Sequence, residues 1–203
     1  MAASSSDGSG GWMVTGGMGE GGQFLNTAEL FKEGSWIPVP KLPFLLHNHC
    51  QVQAGGKVVI AGGRSEGNML DNTFILEGDQ WIEVGNLIQA RSFHACAVLS
   101  GKVYSIGGED SGDIQSSVEV YDPATQTWSE GPALPYGLSI EQAITFDNNL
   151  YVLGGNTGDS INTEIFKLSA TSSEWEDIGT GVEMPDRSIF PATIVNKELL
   201  HCQ

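Results

Sequence analysis

Two markers recur in phase along this chain and limit its fold more than any other feature. A glycine pair stands at Gly16-Gly17, Gly62-Gly63, Gly107-Gly108 and Gly154-Gly155, at spacings of 46, 45 and 47 residues. A tryptophan follows each pair, at Trp36, Trp81, Trp128 and Trp175, 19 to 21 residues after the first glycine. Self-similarity with a period of roughly 45–50 residues marks repeated sheet units, or blades, each hiding its apolar surface against its neighbours. A glycine pair closing a strand supplies positive φ and lets another backbone come close, which a side chain would block. The tryptophan is expected to be a wedge buried between adjacent sheets, worth roughly 150–250 Å² of hidden area.

Within a unit the pattern is that of half-buried antiparallel strands. Lys102-Val103-Tyr104-Ser105-Ile106 and Ser117-Val118-Glu119-Val120-Tyr121 alternate between apolar and polar residues. In the second copy the same reading puts strands near His47 to Gln53, Lys57 to Ala61, Thr73 to Leu76 and Trp81 to Val84. Phe31, Tyr121 and Phe166 fill an aromatic position before the turn that precedes the tryptophan, with only Leu76 near that place in the second copy. WIPVPKLP, WIEVGNLI, WSEGPALP and WEDIGTGVEMP then lead out of each unit, mostly by way of a proline. The segment from Ala90 to Pro135, ARSFHACAVLSGKVYSIGG joined to SSVEVYDPATQTWSEGPALP, resembles the kelch family of β-propellers, and the resemblance extends over residues 12 to about 196.

That resemblance implies an all-β kelch-type β-propeller with blades at about 12–40, 44–87, 90–135 and 138–185 and a partial fifth at 187–203. The fifth begins with Arg187 to Val195, RSIFPATIV, an echo of Arg91 to Leu99. Residues 1–11 are small and polar and read as a disordered tail, which leaves the first blade without an inner strand. The next glycine pair is due at 199 to 201, where Leu199-Leu200-His201 stands instead. The expectation is an open or incomplete ring whose edges, at Trp12 to Thr15 and at the last strand, invite pairing with another chain. Closure of a four-bladed ring by Ile189 to Val195 is the alternative.

Charge and composition narrow the function. The 203 residues carry 25 acids against 9 bases, a net charge of −16, and the bases are scattered, which speaks against nucleic acid as a partner. Three cysteines, Cys50, Cys96 and Cys202, are an odd number and far apart, and so read as reduced thiols. The opening MAASSSDGSGG has no apolar core for a signal peptide, and no apolar run is long enough for a membrane helix. A cytoplasmic or nuclear protein without membrane attachment is the expectation.

Three chemical motifs suggest themselves in the sequence, and each has a structural explanation. Gly17-Met18-Gly19-Glu20-Gly21-Gly22 fits the dinucleotide pattern G-x-G-x-x-G, but the repeat register puts a strand after it where a helix is required. His47, His49 and Cys50 cluster, and His94 is two residues from Cys96, yet His49 and His94 each lie 13 residues before their own glycine pair. They are one repeat position, equivalent to Glu141, and the common histidine of the kelch inner strand; no spacing matches a four-ligand zinc site, so no metal or other cofactor is expected. Some propellers of this kind are enzymes, such as galactose oxidase and sialidases. Here Tyr104, Tyr121 and Tyr151 sit at repeat positions, as do Arg91 and Arg187, and no nucleophile is paired with a base, so no catalytic residue is assigned.

Recognition is expected on loops. With strands a, b, c and d antiparallel, the b-to-c loops and the connections to the next blade open on one face. The b-to-c loops are Met18 to Gln23, Arg64 to Asp71, Glu109 to Gln115 and Asn156 to Ile161, and they vary most, as binding loops on a fixed scaffold do. Arg64, Glu66, Glu109, Asp110, Asp113, Asn156 and Asp159 are the candidate partner-binding residues. Their acidic bias points to a protein partner with a basic segment. The family resemblance implies two settings for such binding, substrate capture for a cullin-type ubiquitin ligase and scaffolding on actin.

Overall fold

The structure, a computed structural model, describes residues 3–6 and 10–179. Four antiparallel sheets of four strands each follow one another along the chain. Blade 1 comprises Ala3–Ser6, Trp12–Thr15, Ala28–Lys32 and Ser35–Val39. Blade 2 comprises Cys50–Ala54, Lys57–Ala61, Thr73–Glu77 and Gln80–Glu83. Blade 3 comprises Ala95–Leu99, Lys102–Ile106, Val118–Asp122 and Thr127–Glu130. Blade 4 comprises Gln142–Phe146, Asn149–Leu153, Ile165–Ser169 and Glu176–Asp177. In every blade each strand pairs with the next in sequence, and the first strand is the innermost.

The inner strands pack in order, blade 1 on 2, 2 on 3 and 3 on 4, and among the described residues no comparable contact returns from blade 4 to blade 1. Among the described residues the four blades form an open arc. The proposed fifth blade, residues 187–203, lies outside the described residues, as does its strand Ile189 to Val195.

The amino-terminal segment departs from the sequence reading. Ala3–Ser6 pairs antiparallel with Trp12–Thr15, Ser5 opposite Met13, and so supplies the inner strand that blade 1 was expected to lack. Trp12–Thr15 is therefore paired on both sides, with Ala28–Lys32 as its other neighbour, and is not a free edge. Composition misled here because a strand at a propeller's centre gains its order from the next blade. Gln51 of blade 2 donates from Nε2 to Ser5 Oγ at 2.9 Å and to the Met13 carbonyl at 3.0 Å, and accepts at Oε1 from Thr15 Oγ1.

Apolar clusters fill each junction between blades, two of them between blades 2 and 3. Met13, Leu42, Leu46, Val58, Ile60 and Phe74 join blades 1 and 2. Val52, Ala54, Val59, Ile75, Val103 and Tyr121 join blades 2 and 3. Ile106, Val118, Leu134, Leu138, Leu150, Val152 and Phe166 belong to the largest cluster, between blades 3 and 4.

Polar contacts at the axis repeat with the sequence period. All four glycine pairs have positive φ, 61° and 97° at Gly62 and Gly63. A Cβ on Gly62 would lie 2.6 Å from the Arg91 carbonyl and 2.8 Å from His94 Cε1 of the next blade, and one on Gly63 would lie 2.7 Å from His49 Cβ of its own. The second glycine also bonds across the junction: Gly17, Gly63 and Gly108 donate to the carbonyls of Leu46, Arg91 and Leu138 at 2.7 to 2.8 Å.

The tryptophans act differently from the expected buried wedge. Trp81, Trp128 and Trp175 are half-buried, and each indole N–H reaches back to the preceding blade, to the Pro40 carbonyl, Thr73 Oγ1 and the Pro132 carbonyl at 2.8, 2.9 and 2.7 Å. Trp36 is 57% exposed, with no blade packed against it among the described residues.

The cysteines also depart from expectation. Cys50 and Cys96 form a disulfide between the inner strands of blades 2 and 3, 46 residues apart. The period that looked too long for a disulfide pair is the step between neighbouring blades.

Trp128→Ala, which removes a ring tilted against Tyr121 and a bond to blade 2, is expected to cost about 3 kcal/mol. Trp12→Ala, at 60% exposure, is expected to cost no more than about 0.5 kcal/mol; denaturant midpoints of the two variants check this. Cys96→Ser, which releases the 46-residue loop, is expected to destabilise by up to about 4 kcal/mol on chain entropy, and thermal melts with and without reductant check that.

Candidate functional site

The antiparallel order brings the b-to-c loops and the incoming connections to one face, and backbone bridges join them in blades 2, 3 and 4. His47 pairs with Arg64, Ser92 with Glu109 and Ser139 with Asn156. In blades 2 and 3 the loop is a two-residue hairpin. Arg64–Ser65 pairs with Asn68–Met69 and Glu109–Asp110 with Asp113–Ile114. Their tips, Glu66-Gly67 and Ser111-Gly112, have positive φ at both residues, the turn that matches strand twist. In blade 4 the loop folds on its own side chains: Gly158 N donates to Asn156 Oδ1 at 2.7 Å and Ser160 N to Thr157 Oγ1 at 3.0 Å. Blade 1 closes its loop with a 3-10 turn at Glu20–Gly22.

The candidate residues separate into two groups. Glu66, Asp113 and Asp159 are exposed at or next to the tips of three successive loops. Arg64, Glu109, Asp110 and Asn156 are half-buried and serve the scaffold as well. Asp110 accepts from Gln89 Nε2 at 2.8 Å and from Ser111 Oγ at 3.0 Å, and the Arg64 guanidinium lies 6.0 Å from the Phe93 ring centroid. The loops of blades 2 and 3 touch where Ser111 N donates to Met69 Sδ at 3.4 Å. Around them Met18, Ile88 and Ile161 are exposed apolar residues on the same face.

The sequence reading missed an open groove beside Asp159, lined by Tyr136, Gly137, Thr157 and Ser160 to Glu164. Tyr136 donates to Asn162 Oδ1 at 2.7 Å and Glu164 Oε2 at 2.5 Å. Burial, then its bond to the Glu164 carboxylate, pushes the phenol well above its ordinary range. Tyr136 was visible as a tyrosine outside the repeat positions, but its partners arrive from a loop 26 to 28 residues away.

Ionisable groups are also buried beneath this face. Arg91, wholly buried, bonds Glu119 at 2.7 Å and the Gly107 and Ser117 carbonyls at 2.9 and 3.0 Å, while Glu119 takes the amides of Ile88 and Gln89. Such a pair, enclosed and bonded through both terminal nitrogens of Arg91 and both carboxylate oxygens of Glu119, holds the incoming connection to blade 3 and is unavailable to a ligand. Nearer the axis, His49, His94 and Glu141 are the repeat position in blades 2, 3 and 4, all buried. Burial pushes both imidazoles down to about 3. Burial pushes the Glu141 carboxyl up to about 8, with Glu109 adding and Arg91 opposing.

Comparison with known proteins agrees with this architecture. Residues 41–202 match the family model described as the KLHDC2/KLHL20/DRC7 Kelch-repeats domain. A Kelch domain-containing protein of Saccharolobus solfataricus is 38% identical over 56 residues, which is 28% of this chain and 8% of that protein. The solved structure of YjhT superposes with a TM-score of 0.72 at 15% identity, over 90% of this chain and 66% of that one, a likeness of fold. This chain thus spans only part of the length of both. Among the described residues no helix is long and apolar enough to cross a membrane.

The buried repeat position predicts a pH profile. The Glu141 carboxyl, raised from 4.5 to about 8, contributes stability present below pH 4.5 and lost as pH rises through 8. His49 and His94, lowered from 6.5 to about 3, contribute stability present above pH 6.5 and lost as pH falls toward 3. Two histidines outweigh one carboxyl below pH 6.5, so the melting temperature should peak near that pH. Glu141→Gln is expected to flatten the decline between about pH 6.5 and 8, which melts across a pH series would detect.

Proposed function

Because the chain belongs to the kelch-repeat family, we propose that it is a non-enzymatic protein-binding module whose b-to-c loop face takes a partner with a basic segment. The observation that carries this reading is the arrangement of three exposed acids, Glu66, Asp113 and Asp159, on loops of successive blades, interspersed with exposed Met18, Ile88 and Ile161. Apolar residues supply contact area, and the acids select charge and speed encounter. Arg64, Glu109, Asp110 and Asn156 complete the face and hold its loops in shape.

The ionisable groups favour binding over catalysis. Arg91 is enclosed with Glu119, and the Tyr136 phenol is held protonated against Glu164. Neither forms an accessible nucleophile paired with a base. Substrate recognition for a cullin-type ubiquitin ligase and scaffolding on actin are the two settings in which this module would work. A cytoplasmic location belongs to that reading, but its support from three reduced cysteines is gone, since Cys50 and Cys96 are a disulfide.

Proximity labelling in cells, with a loop-scrambled chain as control, identifies the partner. Its association rate is expected to fall as salt rises, because attraction is screened beyond ~10 Å at 0.1 M. Glu66→Lys, Asp113→Lys and Asp159→Lys together should lower the rate about tenfold at low salt. Partners that survive loop scrambling, or a rate indifferent to salt, would overturn the reading.

A further inference from the structure

The junction of blades 2 and 3 carries a second feature, buried and independent of the loop face. Cys50 opens the inner strand of blade 2, Cys96 is the second residue of the inner strand of blade 3, and their disulfide crosses between them. His94 lies two residues before Cys96, a spacing that returns side chains to the same side of an extended chain. One donor atom from each of Cys50, His94 and Cys96 lies within 4.8 Å of the others. The His94 ring is 7% exposed, and neither of its nitrogens has a hydrogen-bond partner of ordinary geometry. A buried imidazole without a partner is unusual, since buried polar groups are nearly always bonded. The Ala61 backbone, opposite Cys50 in the blade 2 ladder, lies near the ring. A carbonyl in that position is what holds the N–H of an imidazole whose other nitrogen binds a metal.

We propose that Cys50, Cys96 and His94 form a redox-gated site for a zinc-class cation, closed as the disulfide and open as the dithiol. Two thiolates and one imidazole suit zinc, and three protein donors leave a fourth position for water. Donors around tetrahedral zinc lie roughly 3.5–4 Å apart, so the set needs little more than opening of the sulfur–sulfur bond. With a phosphine as reductant, the S–S bond breaks and each sulfur takes a proton. The phosphine is oxidised to its oxide with oxygen from water. Zinc then displaces both thiol protons to solvent and accepts a lone pair from the imidazole, giving a neutral two-thiolate complex. The histidines and cysteines looked unsuited to zinc in sequence because the donors come from successive blades, Cys50 lying 46 residues from Cys96.

The test uses the full chain carrying Cys202→Ser, so that Cys50 and Cys96 are its only cysteines. The protein is reduced with a phosphine, freed of reductant under argon and titrated with zinc against a chromophoric chelator. One equivalent should bind after reduction and none before it, and cobalt in place of zinc should give a thiolate-to-metal charge-transfer band. Cys50→Ser should abolish binding, and His94→Ala should weaken it at least about tenfold. Should His94→Ala not fold, the cobalt form of the parent chain decides the histidine's part: a paramagnetically shifted imidazole N–H resonance supports it and its absence overturns it. Absence of zinc binding by the reduced chain, equal binding by the oxidised chain, or binding retained in Cys50→Ser overturns the proposal. None of these readouts depends on the loop face.

Discussion

The arc depends on how closely two blades can approach at the axis. His94 is held between Gly62 of the preceding blade and Gly108 of its own, and Glu141 in the same way between Gly107 and Gly155. Each glycine of a pair thus faces a different neighbour. The first admits the next blade's side chain and carbonyl, and the second admits its own blade's inner residue while donating its amide across the junction. Any Cβ at Gly62 or Gly63 would come within 3 Å of those atoms and force the blades apart. Positive φ at both positions makes the contact possible, and only glycine adopts it without strain. The rest of the interface follows: apolar clusters fill the middle of each junction, and the tryptophans tie its outer part by bonds to the preceding blade.

Close approach at the axis has an electrostatic consequence. The side chain clamped between glycine pairs is shut off from water, so His49 and His94 stay neutral and Glu141 resists ionisation. Farther out, the buried charges of Arg91 and Glu119 are tolerated as an ion pair that also bonds the surrounding backbone. On the loop face, exposed charge stands at Glu66 and Asp113 on hairpins that the β-ladder holds in shape, and at Asp159. A scaffold rigid at its axis and variable at its loops suits a family of interaction modules. Among the described residues Trp36 of blade 1 is left exposed, where Trp81, Trp128 and Trp175 are half-buried against a preceding blade.

The sequence by itself determined the repeat, the strand order within a blade, the common face of the b-to-c loops and the equivalence of His49, His94 and Glu141. All of these follow from period and alternation, which are local properties that spacing records. It did not disclose that Ala3–Ser6 is a strand, because a run of alanine and serine has no pattern of its own and is ordered by pairing with Trp12–Thr15 and by Gln51 from 46 residues away. Nor did it disclose the groove beside Asp159, whose tyrosine and acceptors meet only when an incoming connection folds over a loop. The disulfide and the histidine beside it are of the same kind. Only the tertiary structure decided them, because superposing successive blades turns a separation of one full repeat into contact across a single junction.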